Sequence, residues 1–181
     1  KADGRAHIAD AIRRGASAVL WEADGFAWRH EWRVPNVAVQ GLKGHAGELA
    51  HEFYGRPSES LWVCGVTGTN GKTSCSQWVA AGLAAHGARS AVMGTLGAGF
   101  PPALADALNT TPDALEVHRL MKQFRAQGAG AVAMEVSSHA LEQGRVDAVT
   151  FDIAVFSNLT RDHLDYHGDM ASYGAAKAKL F

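Results

Sequence analysis

The chain has 181 residues, 47% of them hydrophobic, and its formal net charge is −1. This length suits one ordinary domain, or one domain with part of another, and the apolar fraction is enough for a packed core. A charge so close to zero argues against broad attraction to nucleic acid or anionic lipid, so an anionic ligand would need a local site. The two cysteines complete neither a zinc spacing nor a disulfide framework. No apolar run is long enough for a membrane span. We therefore expect a cytoplasmic protein without a signal peptide, membrane span or nucleic-acid partner.

The N-terminal third of the sequence predicts a small α/β unit. Apolar spacing there predicts a helix at 5–14, strands at 18–21 and 37–39, and an amphipathic helix at 43–54. The polar stretch 56–60 is interrupted by proline and is typical of a linker. We assign residues 1–56 to part of one domain and 57–181 to part of a second, and we expect the chain to be a fragment of a longer protein.

Apolar strands alternate with helices beyond this linker. The expected strands are 61–66, 90–93, 131–136 and 151–156, and the expected helices are 74–86 and 112–127. Such alternation is typical of an α/β fold with a mostly parallel, doubly wound sheet. The stretch 97–108 is rich in Gly, Ala and Pro, and we expect it to be a surface loop.

Residues 65–73 read Gly-Val-Thr-Gly-Thr-Asn-Gly-Lys-Thr and fall on a predicted strand-to-helix turn. Phosphates bind at such turns because backbone N–H groups and the helix N-terminus point at the anion, while glycines allow close approach. Lys72 would reach the β- and γ-phosphates, and the Thr73 hydroxyl would bind Mg²⁺. The loop departs from the strict pattern G-x-x-x-x-G-K-[ST], because Val66 stands where the first glycine belongs. The alternative is a glycine-rich turn with a surface lysine.

Polar clusters follow the predicted strands at 109–113, 135–139 and 157–163. In a doubly wound sheet, ligands bind beyond the carboxyl ends of the strands. Capping and turn formation would explain any one cluster. Three clusters beside a phosphate loop favour a binding site instead.

Three further side chains are candidates for chemistry, each with an ordinary alternative. Glu135 is the best carboxylate for Mg²⁺ because it ends a central strand, although a buried pair with an arginine would also explain it. His163 is a second candidate ligand, with helix capping as the alternative. Lys177 lies in a helical pattern, where an exposed lysine is the ordinary expectation.

Five motifs in order resemble the Mur ligase family, and within it the MurE-type branch. They are residues 66–73, 109–113, 134–145, 157–168 and 173–177. The family's phosphate loop also lacks the strict first glycine. The resemblance runs through residues 61–181 and more weakly through the first unit. It implies part of an N-terminal UDP-binding domain and part of a central ATP-binding domain, with the C-terminal ligase domain absent from this chain.

The resemblance also implies an activity. Members of this branch are ATP-dependent carboxylate–amine ligases of peptidoglycan precursor synthesis. They add meso-diaminopimelate to UDP-MurNAc-L-Ala-D-Glu through an acyl phosphate, and we expect a monomer. L-Lysine as the added amino acid, another Mur-like or folate-type acceptor, and a nucleotide-binding fragment that is inactive alone stay open.

Carried onto this sequence, the resemblance implies four sets of site residues. The set at the ATP phosphates is Gly68, Thr69, Asn70, Gly71, Lys72 and Thr73, with Asn158 beside the nucleotide. Two Mg²⁺ sites are implied, one at Thr73 and Glu135, the other at His163 and a Lys177 carbamylated by CO₂. The catalytic set is Lys72, Glu135, His163 and Lys177. The residues implied for the UDP-muramoyl-dipeptide are Thr110, Thr111, Ser137, Gln143 and Arg145. Because carbamylation requires a neutral amine, the surroundings of Lys177 must depress its pKa from about 10.4.

Overall fold

The computed structural model describes residues 3–181, which form two compact units, one that ends at residue 46 and one that spans residues 47–181. The elements of the first unit are a 3-10 turn (Gly4–His7), α1 (Ile8–Arg13), β1 (Val19–Glu22), β2 (Asn36–Val39) and a second 3-10 turn (Leu42–His45). β1 and β2 pair in parallel, with Val19 opposite Asn36. Both predicted strands are confirmed, whereas the predicted first helix is divided into a turn and a short helix.

The second unit carries the larger sheet. Its elements are α2 (Ala46–Phe53, beginning at the boundary), a 3-10 turn (Pro57–Ser60), β3 (Trp62–Thr67), α3 (Lys72–Ala85), β4 (Ser90–Gly94), β5 (Gly97–Phe100), β6 (Ala103–Ala105), α4 (Ala114–Ala126), β7 (Ala131–Glu135), α5 (Ser138–Glu142), β8 (Ile153–Phe156), α6 (Leu164–His167) and α7 (Met170–Ala178). No helix among residues 3–181 is both long and apolar enough to cross a membrane.

The strand order of this sheet is β6-β5-β4-β7-β3-β8. The four strands from β4 to β8 in that order run parallel, with Val63 opposite Val132 and Cys64 opposite Ile153. β5 and β6 add an antiparallel edge. The predicted α/β fold with a mostly parallel sheet is therefore confirmed.

The core lies on both faces of the central strands, because successive side chains of a strand point to opposite faces. One face is packed by α4, and its fully buried residues include Val63, Met93, Val117, Met121, Phe124 and Met134. The other face carries α3, where Ala80 packs with Val92 and Ala133. Helices on both faces leave the carboxyl edge of the strands open to a ligand.

Two predicted connections have more structure than expected. The prediction of a surface loop at 97–108 is wrong, because β5 and β6 form a hairpin there. Gly97 and Gly99 have φ of +121° and +148°, and a Cβ at Gly99 would lie 2.7 Å from the Ala103 carbonyl oxygen. Glycine thus permits close pairing of these two strands, which the amino-acid composition of the segment 97–108 does not reveal.

The expected linker at 56–60 forms the 3-10 turn Pro57–Ser60, in which Pro57 and Ser58 are buried. The Ser58 hydroxyl accepts the Thr150 N–H at 3.2 Å. Along the chain, the boundary between the two compact units falls between Ala46 and Gly47. The assignment of residues 1–56 and 57–181 to two domains of a longer protein stays a prediction.

Candidate active site

The glycine-rich loop connects the end of β3 at Thr67 to the start of α3 at Lys72, as the sequence predicts. Gly68 and Gly71 have φ of +138° and +84°. A Cβ on Gly68 would overlap the Ser157 hydroxyl, so this position needs glycine for space as well as for conformation. The loop lies at the carboxyl end of a central strand, where the fold leaves room for a ligand.

The segment after β8 holds this loop in place. The Asn158 amide accepts the Asn70 N–H and donates to the Asn70 carbonyl, both at 3.0 Å, and the Asn158 carbonyl accepts the Thr69 N–H at 3.0 Å. Ser157 donates its hydroxyl to the Asn70 carbonyl at 2.7 Å. The N–H groups of Thr69 and Asn70 are therefore used inside the protein. Further donors for a phosphate are the N–H groups at the start of α3, which have no partner within the helix.

Two lysines converge on the same part of the loop. Lys72 Nζ donates to the carbonyls of Gly68 and Thr69 at 3.0 and 2.9 Å, and Lys177 Nζ donates to the Gly68 carbonyl at 2.7 Å. Lys177 is only 1% exposed, so its interpretation as an ordinary surface lysine is wrong. Burial, assisted by the positive charge of Lys72, lowers the pKa of Lys177 to about 8. Burial also lowers the pKa of Lys72.

Glu135 ends β7 with its side chain 1% exposed. Its carboxylate accepts the Thr73 hydroxyl at 3.0 Å, the Thr95 N–H at 2.8 Å and the Thr95 hydroxyl at 3.2 Å. All three donors are neutral, so the alternative of a pair with an arginine is wrong. A buried carboxylate without a cationic donor is costly to keep. The Glu135 carboxylate and the Thr73 hydroxyl together offer oxygen ligands of the kind that Mg²⁺ prefers.

No cluster of three or more His, Cys, Asp and Glu side chains is arranged to hold a metal ion anywhere in residues 3–181. His163 directly precedes α6 as its N-cap, with φ of +52°, and its side chain is 47% exposed. It lies 3.5 Å from the Asp162 carboxylate, and its ring centroid is 4.8 Å from that of His139. Its ring also contacts Tyr173, whose ring lies 4.5 Å from Lys177 Nζ. The structure thus places His163 near Lys177 through Tyr173, and its role as a metal ligand stays a prediction.

Four of the residues expected at the acceptor substrate form one network, which we call the acceptor network: Thr111, Ser137, Gln143 and Arg145. The buried Thr111 hydroxyl donates to the Glu135 carbonyl at 2.9 Å and accepts the Ser137 N–H at 3.0 Å. Arg145 donates to the Thr111 carbonyl at 2.9 Å and to the Gln143 amide oxygen at 2.7 and 3.0 Å. The network therefore joins the backbone of Glu135.

Thr110, the fifth expected residue, is bonded to a residue that sequence reasoning missed. Its hydroxyl lies 3.0 Å from that of Thr95, which also bonds Glu135. Thr95 directly follows β4, so inspection of that strand end would have found it. Tyr173 was also missed as a site residue, although its hydroxyl lies 3.2 Å from that of Thr69. No sequence signal marks that contact, because it depends on how α7 packs.

Residues 66–181 match the Mur ligase middle domain. The UDP-N-acetylmuramoyl-L-alanyl-D-glutamate--2,6-diaminopimelate ligase of Nitrosomonas europaea is 54% identical over 179 residues, covering 99% of this chain and 34% of that protein. The ligase of the same name from Pseudomonas aeruginosa is 56% identical over 179 residues, covering 99% of this chain and 37% of that protein. The chain thus spans about a third of the length of these curated relatives.

Solved structures resemble the chain as well. A ligase structure with the same name matches with a TM-score of 0.79 and 36% identity, covering 97% of this chain and 35% of that one. MurF ligase from Thermotoga maritima, in complex with ADP, matches with a TM-score of 0.64 and 20% identity, covering 98% of this chain and 36% of that one. At such identity the second likeness shows the fold alone. Because the middle-domain match covers well over half of its residues, this chain belongs to the Mur ligase family.

Proposed function

We propose that the protein containing this chain is an ATP-dependent amide ligase of peptidoglycan precursor synthesis that joins meso-diaminopimelate to UDP-MurNAc-L-Ala-D-Glu in the cytoplasm. The position of Glu135 carries the proposal. Its carboxylate meets Thr73 of the phosphate loop, and its backbone carbonyl meets Thr111 of the acceptor network. A nucleotide and an acceptor bound at these two places would be neighbours. The diaminopimelate ligases that are 54–56% identical support the choice of substrates.

Different residues of the loop would bind the phosphates and the cation of the nucleotide. Lys72 and the N–H groups of the first turn of α3 bind the ATP phosphates, with Lys72 leaving the carbonyls it contacts in the free protein. The Thr73 hydroxyl gives its hydrogen to Glu135, so its oxygen lone pairs can face a cation. Mg²⁺ held by Thr73 and Glu135 would supply positive charge that offsets repulsion between the phosphates and an anionic nucleophile.

Lys177 would serve a second cation site after reaction with CO₂. Its lowered pKa of about 8 leaves on the order of a tenth of the amine neutral at pH 7, whereas an ordinary lysine is almost fully protonated. The neutral amine attacks CO₂, loses a proton and becomes a carbamate, which converts a buried cation into an anion. This anion and His163 are the proposed ligands of the second Mg²⁺.

The acceptor network and Thr110 would bind the UDP-muramoyl-dipeptide, with the Arg145 guanidinium as the cationic group for an acidic part of that substrate. The D-Glu carboxylate attacks the γ-phosphorus of ATP, and ADP leaves, which gives an acyl phosphate. The amine of the amino acid then attacks the acyl carbon, loses a proton and expels phosphate, which forms the amide. Activation is needed because a carboxylate is a poor electrophile.

The test is ADP formation by the complete protein, with each substrate omitted in turn. We expect ADP to appear only when both UDP-MurNAc-L-Ala-D-Glu and meso-diaminopimelate are present, together with an equal amount of amide product. A faster reaction with L-lysine would overturn the choice of amino acid. ATP hydrolysis that is indifferent to both substrates would overturn the ligase assignment and leave a nucleotide-binding protein.

A further inference from the structure

Gly94 and Thr95 contact the Glu135 side chain directly. Neither residue has a role in the function proposed above. Thr95 contributes two of the three hydrogen bonds to that carboxylate, one from its N–H to Oε1 and one from its hydroxyl to Oε2. Gly94 faces Oε1 as well, and a Cβ added there would overlap that oxygen. The buried carboxylate is thus fixed by donors on one side and by the absence of a side chain on the other.

The same Thr95 hydroxyl also lies 3.0 Å from the hydroxyl of Thr110. A hydroxyl has one hydrogen to donate, and a carboxylate can only accept. The Thr95 hydrogen therefore goes to Glu135, and the Thr110 hydroxyl must donate its own hydrogen to Thr95. This order leaves only the acceptor lone pairs of Thr110 for a substrate. Thr110 can then receive an N–H or O–H group and would repel a carbonyl or phosphate oxygen.

We propose that Gly94 and Thr95 are positioning residues that orient the Glu135 carboxylate toward a bound cation. Through the same Thr95 hydroxyl, they also leave Thr110 able only to accept a hydrogen bond from the UDP-muramoyl-dipeptide. This inference rests on the proposed function for the identity of that substrate. The two halves of the site are coupled, because a Glu135 carboxylate that turned away would leave the Thr95 hydrogen free to be donated to Thr110, which would reverse that hydrogen bond. Neither residue touches the reacting atoms, so both act through Glu135 and Thr110.

The first experiment measures ADP binding to the complete protein by calorimetry, with and without Mg²⁺. Thr95→Val keeps the shape and the N–H of the residue but removes its hydroxyl. We expect the enhancement of ADP affinity by Mg²⁺ to fall about 10-fold, in line with the loss of an outer-shell partner of a metal ligand. ADP affinity without Mg²⁺ should stay within about twofold, and Thr95→Ser should restore the enhancement. An unchanged enhancement in the valine variant would overturn the proposal.

Gly94→Ala is the second variant, and it decides the question if Thr95→Val does not fold. It keeps both Thr95 donors but forces the Glu135 carboxylate away, because the new methyl group needs the space of Oε1. We expect the same loss of Mg²⁺ enhancement as in Thr95→Val. An alanine variant with full enhancement would show that the place of the carboxylate is set by other residues.

The second experiment tests the coupling to Thr110 with UDP-MurNAc-L-Ala-D-Glu as the probe. Thr95→Val and Thr110→Val should each weaken its binding, and the double variant should show no further loss, because both changes break one chain of hydrogen bonds. Additive losses would overturn the coupling. If the wild-type protein neither binds nor uses this compound, the proposed function fails, while the ADP and Mg²⁺ measurement still decides the role of Thr95.

Discussion

Lys72 and Lys177 donate to the same atom, the carbonyl oxygen of Gly68, at 3.0 and 2.7 Å. Two ammonium groups that share one acceptor repel each other, and Lys177 has no room to reach water because it is 1% exposed. Burial lowers the pKa of both amines, which favours loss of a proton from this pair. A negative group at this place, whether a phosphate or a carbamate, would relieve the repulsion.

The stability of the protein should depend on pH through Lys177. Its pKa is about 8 in the folded state and 10.5 ordinarily, so the unfolded chain binds more protons between these values. The free energy of unfolding should therefore rise with pH across this window, by on the order of 3 kcal/mol in total. Lys177→Met lacks this gain, so its stability relative to wild type should fall as pH increases from 8 to 10.5. Thermal unfolding in CO₂-free buffer measures the difference, and parallel profiles of the two proteins would contradict the prediction.

Removal of the Lys177 amine should greatly reduce ligation. We expect Lys177→Ala to lose about 100-fold or more of its activity, comparable to the loss of one preorganised group that stabilises charge in a transition state. A short carboxylic acid should restore part of the activity by standing in for the carbamate. Lys179→Ala is the matched control, since Lys179 is exposed and pairs with Glu142 at 2.9 Å. Wild-type protein in ¹³C-labelled bicarbonate should show a carbamate resonance that Lys177→Ala lacks. Full activity of the alanine variant would refute this role.

The two loop glycines should differ in their tolerance of alanine. Gly68→Ala places a methyl group on the Ser157 hydroxyl at a φ of +138°, and we expect it to cost roughly 2–4 kcal/mol of stability. Gly71→Ala meets open space at a φ of +84° and should cost only the conformational penalty, about 1–2 kcal/mol. Thermal unfolding of the two variants tests this order. Ser157→Ala should recover part of the loss in Gly68→Ala, and equal losses at both glycines would count against the steric argument.

Acid should destabilise the protein through His118, which is fully buried on α4. Burial, with a smaller contribution from His51, lowers the pKa of His118. The unfolded chain therefore takes up a proton more readily as pH falls through about 6.5, and stability is lost at up to about 1.4 kcal/mol per pH unit. His118→Gln keeps a donor for the Asp147 carbonyl but cannot titrate. Its unfolding midpoint should fall less than that of wild type between pH 7 and 5. The exposed His86→Gln is the control, and an acid response of His118→Gln equal to that of wild type would argue against His118 as the cause.

The sequence led to the phosphate loop and the fold because both depend on local order along the chain. Apolar runs that alternate with helices predict parallel strands, and the rule that ligands bind at strand ends then selects Glu135 and the polar segments after β7 and β8. The hairpin of β5 and β6 was missed because glycine, alanine and proline composition ordinarily indicates a loop. The hairpin is ordered because β5 pairs with β4 at the edge of the sheet.

By itself, the sequence predicted a phosphate-binding loop and a carboxylate at a strand end from residue type and spacing, and the resemblance to the Mur ligase family implied the residues for the acceptor substrate. The tertiary structure decided how deeply each of these side chains is buried and which groups it hydrogen-bonds. Lys177 is buried because α7 packs it onto Gly68, which lies more than a hundred positions earlier in the chain. The Glu135 carboxylate is aimed by Thr95, forty positions away, with Gly94 beside it. Burial and hydrogen-bond direction depend on contacts between distant segments, and no local pattern in the sequence contains them.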